Sequence, residues 1–296
     1  MNDNNIGRPR RWLGTAFLAV VLATTLTGFR SVESLFAPDS ELWPRWQAHD
    51  DSNPAHIDYA DWARLLDRYV EPTPSGINVI DYVVVTAEDR TALEAVIARL
   101  EAVPISDYSR REQMAYWINL YNAATIRVVL DHYPVETIRD IDLSSGWFAD
   151  GPWDAELVMV EGVALSLNDI EHRILRPIWM DPRIHYAVNC ASIGCPNLRP
   201  EPYRGETVGS VLDLAAREYL SHPRGITIEN DKVIISRIYD WFFEDFSKHD
   251  MRLLDHLTLY VEPDLANQLN QIGKIHGTRY DWQLNAPENL PADAAR

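Results

Sequence analysis

The chain has 296 residues, and 27 Lys and Arg against 44 Asp and Glu give it a formal net charge of −17 at pH 7. So acidic a surface repels phosphate backbones, and no run of basic residues occurs beyond the first 30 positions, which argues against nucleic acid as a partner. A hydrophobic fraction of 46% and a charged fraction of 24% are ordinary for a globular protein and argue against disorder and against a polytopic membrane protein.

The first forty residues have the pattern of a targeting segment. Arg8, Arg10 and Arg11 precede the apolar stretch 12–29, as the charged region of a signal peptide precedes its hydrophobic region. Residues 1–40 are therefore predicted to be a signal peptide or a membrane anchor plus linker, and the stretch lies at the lower edge of the ~17–25 residues that span a bilayer. In both cases we expect the rest of the chain in the periplasm or another extracytoplasmic compartment, with 12–29 as a tether to the inner membrane if it is not cleaved.

Helical and strand patterns alternate along the rest of the chain. Apolar residues at helical spacing predict a helix over 57–69, and a β-branched run predicts a strand over 77–85. Two capped helices follow, the stronger of which begins at the S-x-x-E pair Ser109 and Glu112 and runs to about His132. The later predicted elements are, in chain order, a hairpin over 157–165, a short helix from Ser166 to near Pro177, a strand over 183–189, a helix over 207–220, a hairpin over 226–236, two short helices and a turn-rich stretch over 277–285.

Together these elements predict a single α+β domain over residues 41–285, in which helices pack on a small mixed sheet. No linker rich in Pro, Gly or Ser interrupts this range, which argues against two domains. The tail 286–296 contains two prolines and is predicted to be disordered.

The central part of the chain carries the residues with chemistry. A strand over 183–189 would place His185 and Asn189 on one face with only Ala187 between them, and such a polar face suits a cleft better than a core. Cys190 follows at the end of this strand, where a loop exposes a side chain readily. His172 lies on the preceding short helix, one turn after Asp169, which is predicted to hold its ring.

Cys190 and Cys195 are the only cysteines, and they allow several interpretations. A thiolate beside an imidazole is a nucleophile, which favours catalysis by Cys190. An even number of cysteines outside the cytoplasm most often means a disulfide, and two buried free thiols are a third alternative. The spacing C-x4-C lacks the tight geometry of a zinc site, so no metal is predicted.

Five blocks of the sequence resemble the family known as domain of unknown function 547, which occurs in bacterial exported proteins and, fused to coiled coils, in plants. The blocks are YWINLYNA at 116–123, SLNDIEH at 166–172, DPRIHYAVNC at 181–190, Ser192 with Cys195-Pro196, and YDWQLN at 280–285. The resemblance implies a common fold and a set of signature positions, but no substrate. Those positions are Trp117, Asn119, Tyr121, Asn122, Glu171, His172, His185, Asn189, Cys190, Ser192 and Cys195. Ala191 departs from the pattern, since relatives often have Gly there, and this bears on how sharply the loop turns.

Two groups of residues have a structural as well as a functional interpretation. Asn119 and Asn122 share a helix face near Trp117 and either present their amides to a cleft or bond to the backbone of a neighbouring loop. Among the aromatic residues, the C-terminal Tyr280, Trp282 and Leu284 are predicted to be a packing strip. In contrast, Trp147 and Trp153 lie in a turn-rich stretch and are predicted to form a cleft wall or lid.

Three functions of different classes follow from these residues. The first is a thiol-dependent hydrolase or acyltransferase with Cys190 as nucleophile, His172 or His185 as base, and Glu171 as an orienting carboxylate. Its substrate would be a peptide, a glycan or another small envelope component, bound by Trp117, Asn119, Asn122, Asn189 and Ser192 without a cofactor. The second is a non-catalytic periplasmic binding or envelope-assembly domain with a Cys190–Cys195 disulfide, and the third is a scaffold whose signature residues serve packing.

Overall fold

A computed structural model of the chain describes residues 37–144, 151–247 and 252–290. The predicted targeting stretch 12–29 and the predicted lid residue Trp147 therefore lie outside the described residues. None of the helices within the described ranges is both long and apolar enough to cross a membrane.

The described chain is a mixture of helices and small sheets in one globular domain, as predicted. The helices are α1 Ala60–Tyr69, α2 Ala87–Glu101, α3 Arg110–His132, α4 Arg176–Trp179, α5 Val208–Leu220, α6 Ile238–Trp241, α7 Phe243–Phe246, α8 Leu253–Thr258 and α9 Pro263–Ile272. The strands are β1 Val70–Pro72, β2 Asn78–Ile80, β3 Val158–Val160, β4 Val163–Leu165, β5 Ile226–Glu229, β6 Lys232–Ser236 and β7 Ile275–Arg279. A π-helical segment, Asp169–Leu175, runs directly into α4, and short 3-10 helices include Tyr82–Val84 and Pro182–Tyr186.

Helix α3 is the centre of the larger hydrophobic core and confirms the strongest helix prediction. It begins at Ser109, whose hydroxyl accepts a hydrogen bond from the backbone N–H of Glu112. Its middle is buried on every side, so α3 has no solvent-facing stripe of the kind that a surface helix shows. Polar residues on this helix therefore need partners inside the protein.

The three sheets among the described residues are small. Strands β1 and β2 form one hairpin, β3 and β4 form another, and β5, β6 and β7 form a mixed sheet in which β6 pairs antiparallel with β5 and parallel with β7. Asn230 and Asp231 turn the β5–β6 hairpin with φ values of 50° and 60°, as its two-residue turn requires. The turn-rich prediction for 277–285 was wrong at its start, because β7 gains its order from backbone pairing with β6 rather than from a local apolar pattern.

The predicted strand over 183–189 was wrong. Asp181 accepts a hydrogen bond from the backbone N–H of Arg183 at 3.0 Å, and Pro182 occupies the first turn of the 3-10 helix that follows. This Asp-Pro start favours a helical turn, so the alternating face of His185 and Asn189 does not exist. The strand over 77–85 is likewise shorter than predicted, since only Asn78–Ile80 pairs as a strand.

The second hydrophobic core gathers α5, the mixed sheet, α8 and α9. Tyr186 belongs to this second core, whereas Ile184 and Ala187 beside it in sequence belong to the core around α3. The segment that follows α4 therefore crosses from one core to the other, and the candidate site lies at this crossing.

Candidate active site

A cavity of about 440 Å³ lies between the two cores. The four residues predicted to be catalytic, Glu171, His172, His185 and Cys190, all line it. Its other walls are largely aromatic and come from distant parts of the chain, namely Trp153, Trp241, Phe242, Tyr280 and Trp282. The size is within the range of small-molecule sites, about 300–1,000 Å³.

Part of this aromatic wall changes an interpretation made from the sequence. The rings of Trp241, Tyr280 and Trp282 lie 4.7–5.4 Å apart between centroids and form one patch on the cavity surface. Leu284 is fully buried and fits the predicted packing strip, but Tyr280 and Trp282 also face the cavity. Trp153, predicted to be a cleft wall, lines the cavity 5.9 Å from Trp282.

The half-buried thiol of Cys190 is surrounded by hydrogen-bond donors. Its sulfur lies 2.9 Å from the sulfur of Cys195, 3.0 Å from the hydroxyl oxygen of Tyr280 and 3.2 Å from that of Ser192. The hydrogen bond from Cys195 lowers the pKa of the Cys190 thiol, burial opposes this, and the two hydroxyls lower it further. Burial and the hydrogen bond to Cys190 raise the pKa of Cys195 well above its usual range. The two thiols are therefore unequal, and Cys190 is the one that ionises first.

The loop that carries both thiols, residues 189–196, is here called the thiol loop, and Asn189 closes it. Its side-chain oxygen accepts from the backbone N–H of Ala191 at 2.9 Å, and its amide donates to the carbonyl of Pro196 at 2.7 Å. Ala191 adopts a φ of 55°, which is the left-handed conformation that a glycine would take up more readily. The departure from the family pattern at this position therefore does not prevent the tight turn.

A second segment supports the loop from outside. The backbone N–H of Gly194 donates to the carbonyl of Asp281 at 2.8 Å, and Ser192 forms a bridge with Leu284. A Cβ atom at position 194 would lie 2.8 Å from backbone atoms of Asp281, so only glycine permits this approach. The same approach brings Tyr280 to the sulfur of Cys190.

The asparagines predicted to bind substrate are engaged with backbone groups. Asn119 bonds to both the N–H and the carbonyl of Tyr203, at 3.0 and 2.8 Å, and Asn122 links the carbonyl of Ala187 to the N–H of Asn189. These contacts match the alternative in which they hold neighbouring loops. Trp117 is fully buried against other rings of the α3 core. The residues that line the cavity do not include Trp117, Asn119, Asn122 or Asn189.

A buried group of charged side chains, here called the charged cluster, reaches the same cavity through Glu171, His172 and His185 and also includes Arg176 and Asp245. Arg176 Nε donates to Asp245 Oδ2 at 2.6 Å, and His185 Nε2 lies 2.8 Å from the same oxygen. The other ring nitrogen of His185, Nδ1, lies 3.4 Å from Glu171 Oε1. His172 Nδ1 lies 3.0 Å from Arg176 Nη1 and therefore accepts from it, because a guanidinium only donates.

These neighbours change how the cluster ionises. Burial alone would raise the pKa of Glu171, but His172, His185 and Arg176 outweigh it and lower the pKa to about 2. Likewise, burial opposes the hydrogen bonds from His185 and Arg176 that hold the pKa of Asp245 well below its usual range. Burial lowers the pKa of His172 to about 4, so this ring is neutral near pH 7. The carboxylates of Glu171 and Asp245 are charged near pH 7, because the pKa of each is lowered.

The two histidines do not form hydrogen bonds with Cys190 among the described residues. The prediction that Asp169 holds the ring of His172 was wrong. Asp169 bonds instead to Ser166 and Arg173. Arg176 takes that role, because the π-helical segment sets it one turn after His172. The base and orienting roles assigned from the sequence remain predictions.

Three residues of the site were not singled out as functional from the sequence. Arg176 lies four positions after His172, and this spacing was the available signal. Tyr280 was noted only for packing. Asp245 is 60 positions from His185 and sits in an aromatic stretch that carries no local sign of a buried carboxylate. Within the described ranges, no group of three or more His, Cys, Asp or Glu side chains is placed to hold a metal ion.

The family described as "Protein of unknown function, DUF547" matches residues 105–220. This segment belongs to the DUF547 family. The matched segment includes the sequence blocks around α3, the charged π-helical segment and the thiol loop, so it contains every predicted site residue. No curated protein and no solved structure matches the chain significantly.

The DUF547 segment does not include the whole site. Trp241, Tyr280 and Trp282 lie beyond residue 220 but line the same cavity as Cys190, and Asp245, also beyond residue 220, bonds to His185 in the cavity wall. The DUF547 segment therefore supplies the thiols, the histidines and Trp153, and the C-terminal part supplies other aromatic residues of the wall, one carboxylate and a hydroxyl next to the Cys190 sulfur.

Proposed function

We propose that the protein is a thiol-dependent hydrolase or acyltransferase in which Cys190 is the nucleophile. The observation that carries this proposal is the setting of the sulfur. It lines a cavity large enough for a substrate and lies within hydrogen-bond reach of Cys195, Ser192 and Tyr280. Such donors stabilise a thiolate without the adjacent base that papain-like enzymes use.

The chemical step is attack of the Cys190 thiolate on the carbonyl carbon of an ester or amide. A C–S bond forms, the carbonyl oxygen becomes an oxyanion, and the leaving group departs with a proton when the carbonyl reforms. The resulting thioester then passes its acyl group to water in hydrolysis or to a hydroxyl or amine in acyl transfer. Both outcomes need a donor for the oxyanion.

His172 fits the role of that donor better than the role of a base. Its Nδ1 accepts from Arg176, so the proton of the neutral ring resides on Nε2. Because burial lowers the pKa of this ring to about 4, the ring stays neutral and keeps one N–H near pH 7. A neutral imidazole can stabilise a developing negative charge in this way.

The shape and surface of the cavity limit the substrate. Its volume of about 440 Å³ equals that of about 15 water molecules at ~30 Å³ each, so it accepts a side chain, a sugar or part of an acyl chain rather than a folded protein. The patch of Trp241, Tyr280 and Trp282 beside Cys190 offers flat apolar faces to such a group. A peptide, a glycan or another small component of the cell envelope fits this description if the chain is exported, as its N-terminal pattern predicts.

The proposal is tested with p-nitrophenyl esters of acetate, of a long-chain fatty acid and of an N-blocked phenylalanine. Reduced protein should release a burst of nitrophenolate and carry the acyl group on Cys190, as mapped by mass spectrometry of peptides. Cys190→Ser should remove both signals, and Cys195→Ser should keep them because serine retains a donor beside Cys190. The proposal fails if iodoacetamide alkylates Cys190 in the reduced protein but none of the three esters acylates it.

The donor role of His172 is tested by a matched pair of variants. His172→Gln retains an N–H donor, whereas His172→Leu has a side chain of similar size without a donor. We expect the rate of acylation to fall more in His172→Leu than in His172→Gln, with the alkylation rate of Cys190 similar in both. Equal acylation rates in the two variants would show that His172 does not donate to the oxyanion.

One observation favours a second function, a non-catalytic binding domain. Both histidines bond to partners in the charged cluster and neither bonds to Cys190 among the described residues, and an aromatic wall binds a sugar or side chain equally well without chemistry. A binding domain would retain its ligand in Cys190→Ser and lose it in Trp282→Ala. Calorimetry of both variants with the acids produced from the three esters separates this function from catalysis.

A further inference from the structure

The two sulfurs of the thiol loop lie 2.9 Å apart as free thiols. We propose that Cys190 and Cys195 form a redox pair that reacts with small-molecule disulfides by thiol–disulfide exchange. This activity does not depend on acyl transfer, but it bears on the proposed function because the oxidised pair has no free nucleophile.

The first argument is the different position of the two thiols. Cys190 is half-buried at the cavity and can meet a small disulfide there, whereas Cys195 is only 4% exposed. In thiol–disulfide exchange, one thiol attacks the incoming disulfide and a second resolves the mixed disulfide that results. The exposure of the two residues assigns attack to Cys190 and resolution to Cys195.

The second argument is that hydrogen-bond donors support both steps. The hydroxyls of Ser192 and Tyr280 lie near the sulfur of Cys190 when it is the free thiolate. The backbone N–H of Cys190 donates to the sulfur of Cys195 at 3.0 Å, which stabilises negative charge on the resolving sulfur. Each sulfur therefore has a donor for the stage at which it is a thiolate.

The third argument is that the loop already has the geometry for closure. A disulfide has an S–S distance of ~2.05 Å, so the sulfurs need to approach each other by less than about 1 Å. Asn189 bonds to both ends of the loop, and Gly194 is held against Asp281 from outside. Closing the bond therefore requires side-chain movement rather than movement of an element.

The reaction balances in two steps. The Cys190 thiolate forms a bond to one sulfur of the disulfide, the S–S bond of that molecule breaks, and the released thiolate takes a proton from water. The thiol of Cys195 then loses its proton to water, and its sulfur attacks the Cys190 sulfur of the mixed disulfide. The second thiolate leaves and takes a proton from water, so the small disulfide is reduced to two thiols and the protein is oxidised by two electrons.

The test uses the full-length protein in glutathione buffers that range from fully reduced to fully oxidised, followed by acid quenching, alkylation and intact mass measurement. We expect both thiols to disappear together, with loss of two hydrogens and no bound glutathione at the oxidised end. Alkylation of Cys190 at neutral pH should fall by more than about tenfold and recover with dithiothreitol. Cys195→Ser should instead retain glutathione on Cys190, because nothing resolves the mixed disulfide.

Two results would overturn the proposal. The first is wild-type protein that accumulates glutathione on Cys190 as Cys195→Ser does, and the second is wild-type protein whose two thiols stay free in the fully oxidised buffer. Circular dichroism of each sample checks that the protein is folded. These masses are read without any ester, so the two proposals can fail separately. Loss of acylation alone would contradict the proposed function and leave the redox pair intact. Free thiols in a protein that is still acylated by the esters would contradict only the redox pair.

Discussion

The thiol loop and the charged cluster both contribute side chains to one cavity, but they are built by different means. The loop residues 189–196 are held by hydrogen bonds within the loop, such as those of Asn189 with Ala191 and Pro196, and by backbone hydrogen bonds to residues 281–285. The charged cluster joins side chains that are up to 74 positions apart in the chain, counted from Glu171 to Asp245. The thiol loop is therefore neutral and held largely through backbone groups, whereas the charged cluster is held by ion pairs and hydrogen bonds between side chains.

This difference predicts how substitutions in each of the two regions affect the protein. A buried ion pair that loses one member leaves a charge without compensation, which costs about 3–5 kcal/mol. A lost neutral hydrogen bond leaves a buried polar group that costs about 1–3 kcal/mol. We therefore expect the charged cluster to control the stability of the fold and the thiol loop to control the reactivity of the sulfur.

The largest expected effect is that of Asp245→Asn. This change keeps the volume but removes the carboxylate that Arg176 and His185 share, and the side chain of Asp245 is only 8% exposed. The free energy of unfolding in urea should fall by about 3–5 kcal/mol. Glu229→Gln is the matched control, since it breaks an exposed ion pair with Arg279 and should cost at most about 1 kcal/mol. Equal losses in the two variants would contradict the role given to the cluster.

A second effect is the loss of stability at acid pH. The pKa of His172 is about 4 in the fold against an ordinary 6.5, so the unfolded chain takes up a proton that the folded chain refuses, and stability falls as pH drops from 6.5 to 4. The pKa of Glu171 is about 2 against 4.5, so its contribution is present above pH 4.5 and is lost as pH falls toward 2.

The size of the histidine effect is on the order of 3 kcal/mol between pH 7 and pH 4, from a lowering of the pKa by a few units. Urea unfolding at intervals of half a pH unit measures it. His172→Gln should flatten the curve between pH 6.5 and 4. A wild-type curve that is already flat in this range would show that His172 is not buried as a neutral ring.

A third, smaller effect is expected for Asn189→Ala in the thiol loop. The N–H of Ala191 and the carbonyl of Pro196 would lose their partner, at a cost of about 2 kcal/mol in the free energy of unfolding. Alkylation of Cys195 should become faster because the loop no longer holds it inside. Asn267→Ala, on the exposed side of α9, is the control. Unchanged protection of Cys195 would mean that Asn189 does not close the loop.

The smallest effect concerns reactivity rather than stability. Tyr280→Phe removes one hydroxyl donor from the Cys190 thiolate, and a hydrogen bond to a charged group contributes about 1.5–3 kcal/mol. The pKa of Cys190 should therefore rise by about one unit or more, which is read from the pH dependence of alkylation by iodoacetamide. Tyr260→Phe, a partly buried tyrosine next to His256, serves as control. If the two variants have the same alkylation profile, the hydroxyl of Tyr280 does not stabilise the thiolate.

Much of the secondary structure could be read from local patterns. The cap at Ser109 and the hairpin over 226–236 are confirmed because their hydrogen bonds and turns involve residues within a few positions. The predicted strand over 183–189 was wrong because another local signal outweighed its alternating pattern. Its alternation suggested a strand, but the Asp-Pro start at 181 favours a helical turn.

The sequence by itself determined the α+β class, the main helices and, through the family resemblance, the set of residues from Glu171 to Cys195 that lines one wall of the cavity. Only the tertiary structure decided what those residues touch. Asp245 reaches His185 and Tyr280 reaches Cys190 because two cores pack together and the segment after β7 pairs with the thiol loop. Caps and periodicity act over a few residues and leave a local pattern, whereas a contact across 60 or 90 positions depends on packing that no single segment encodes.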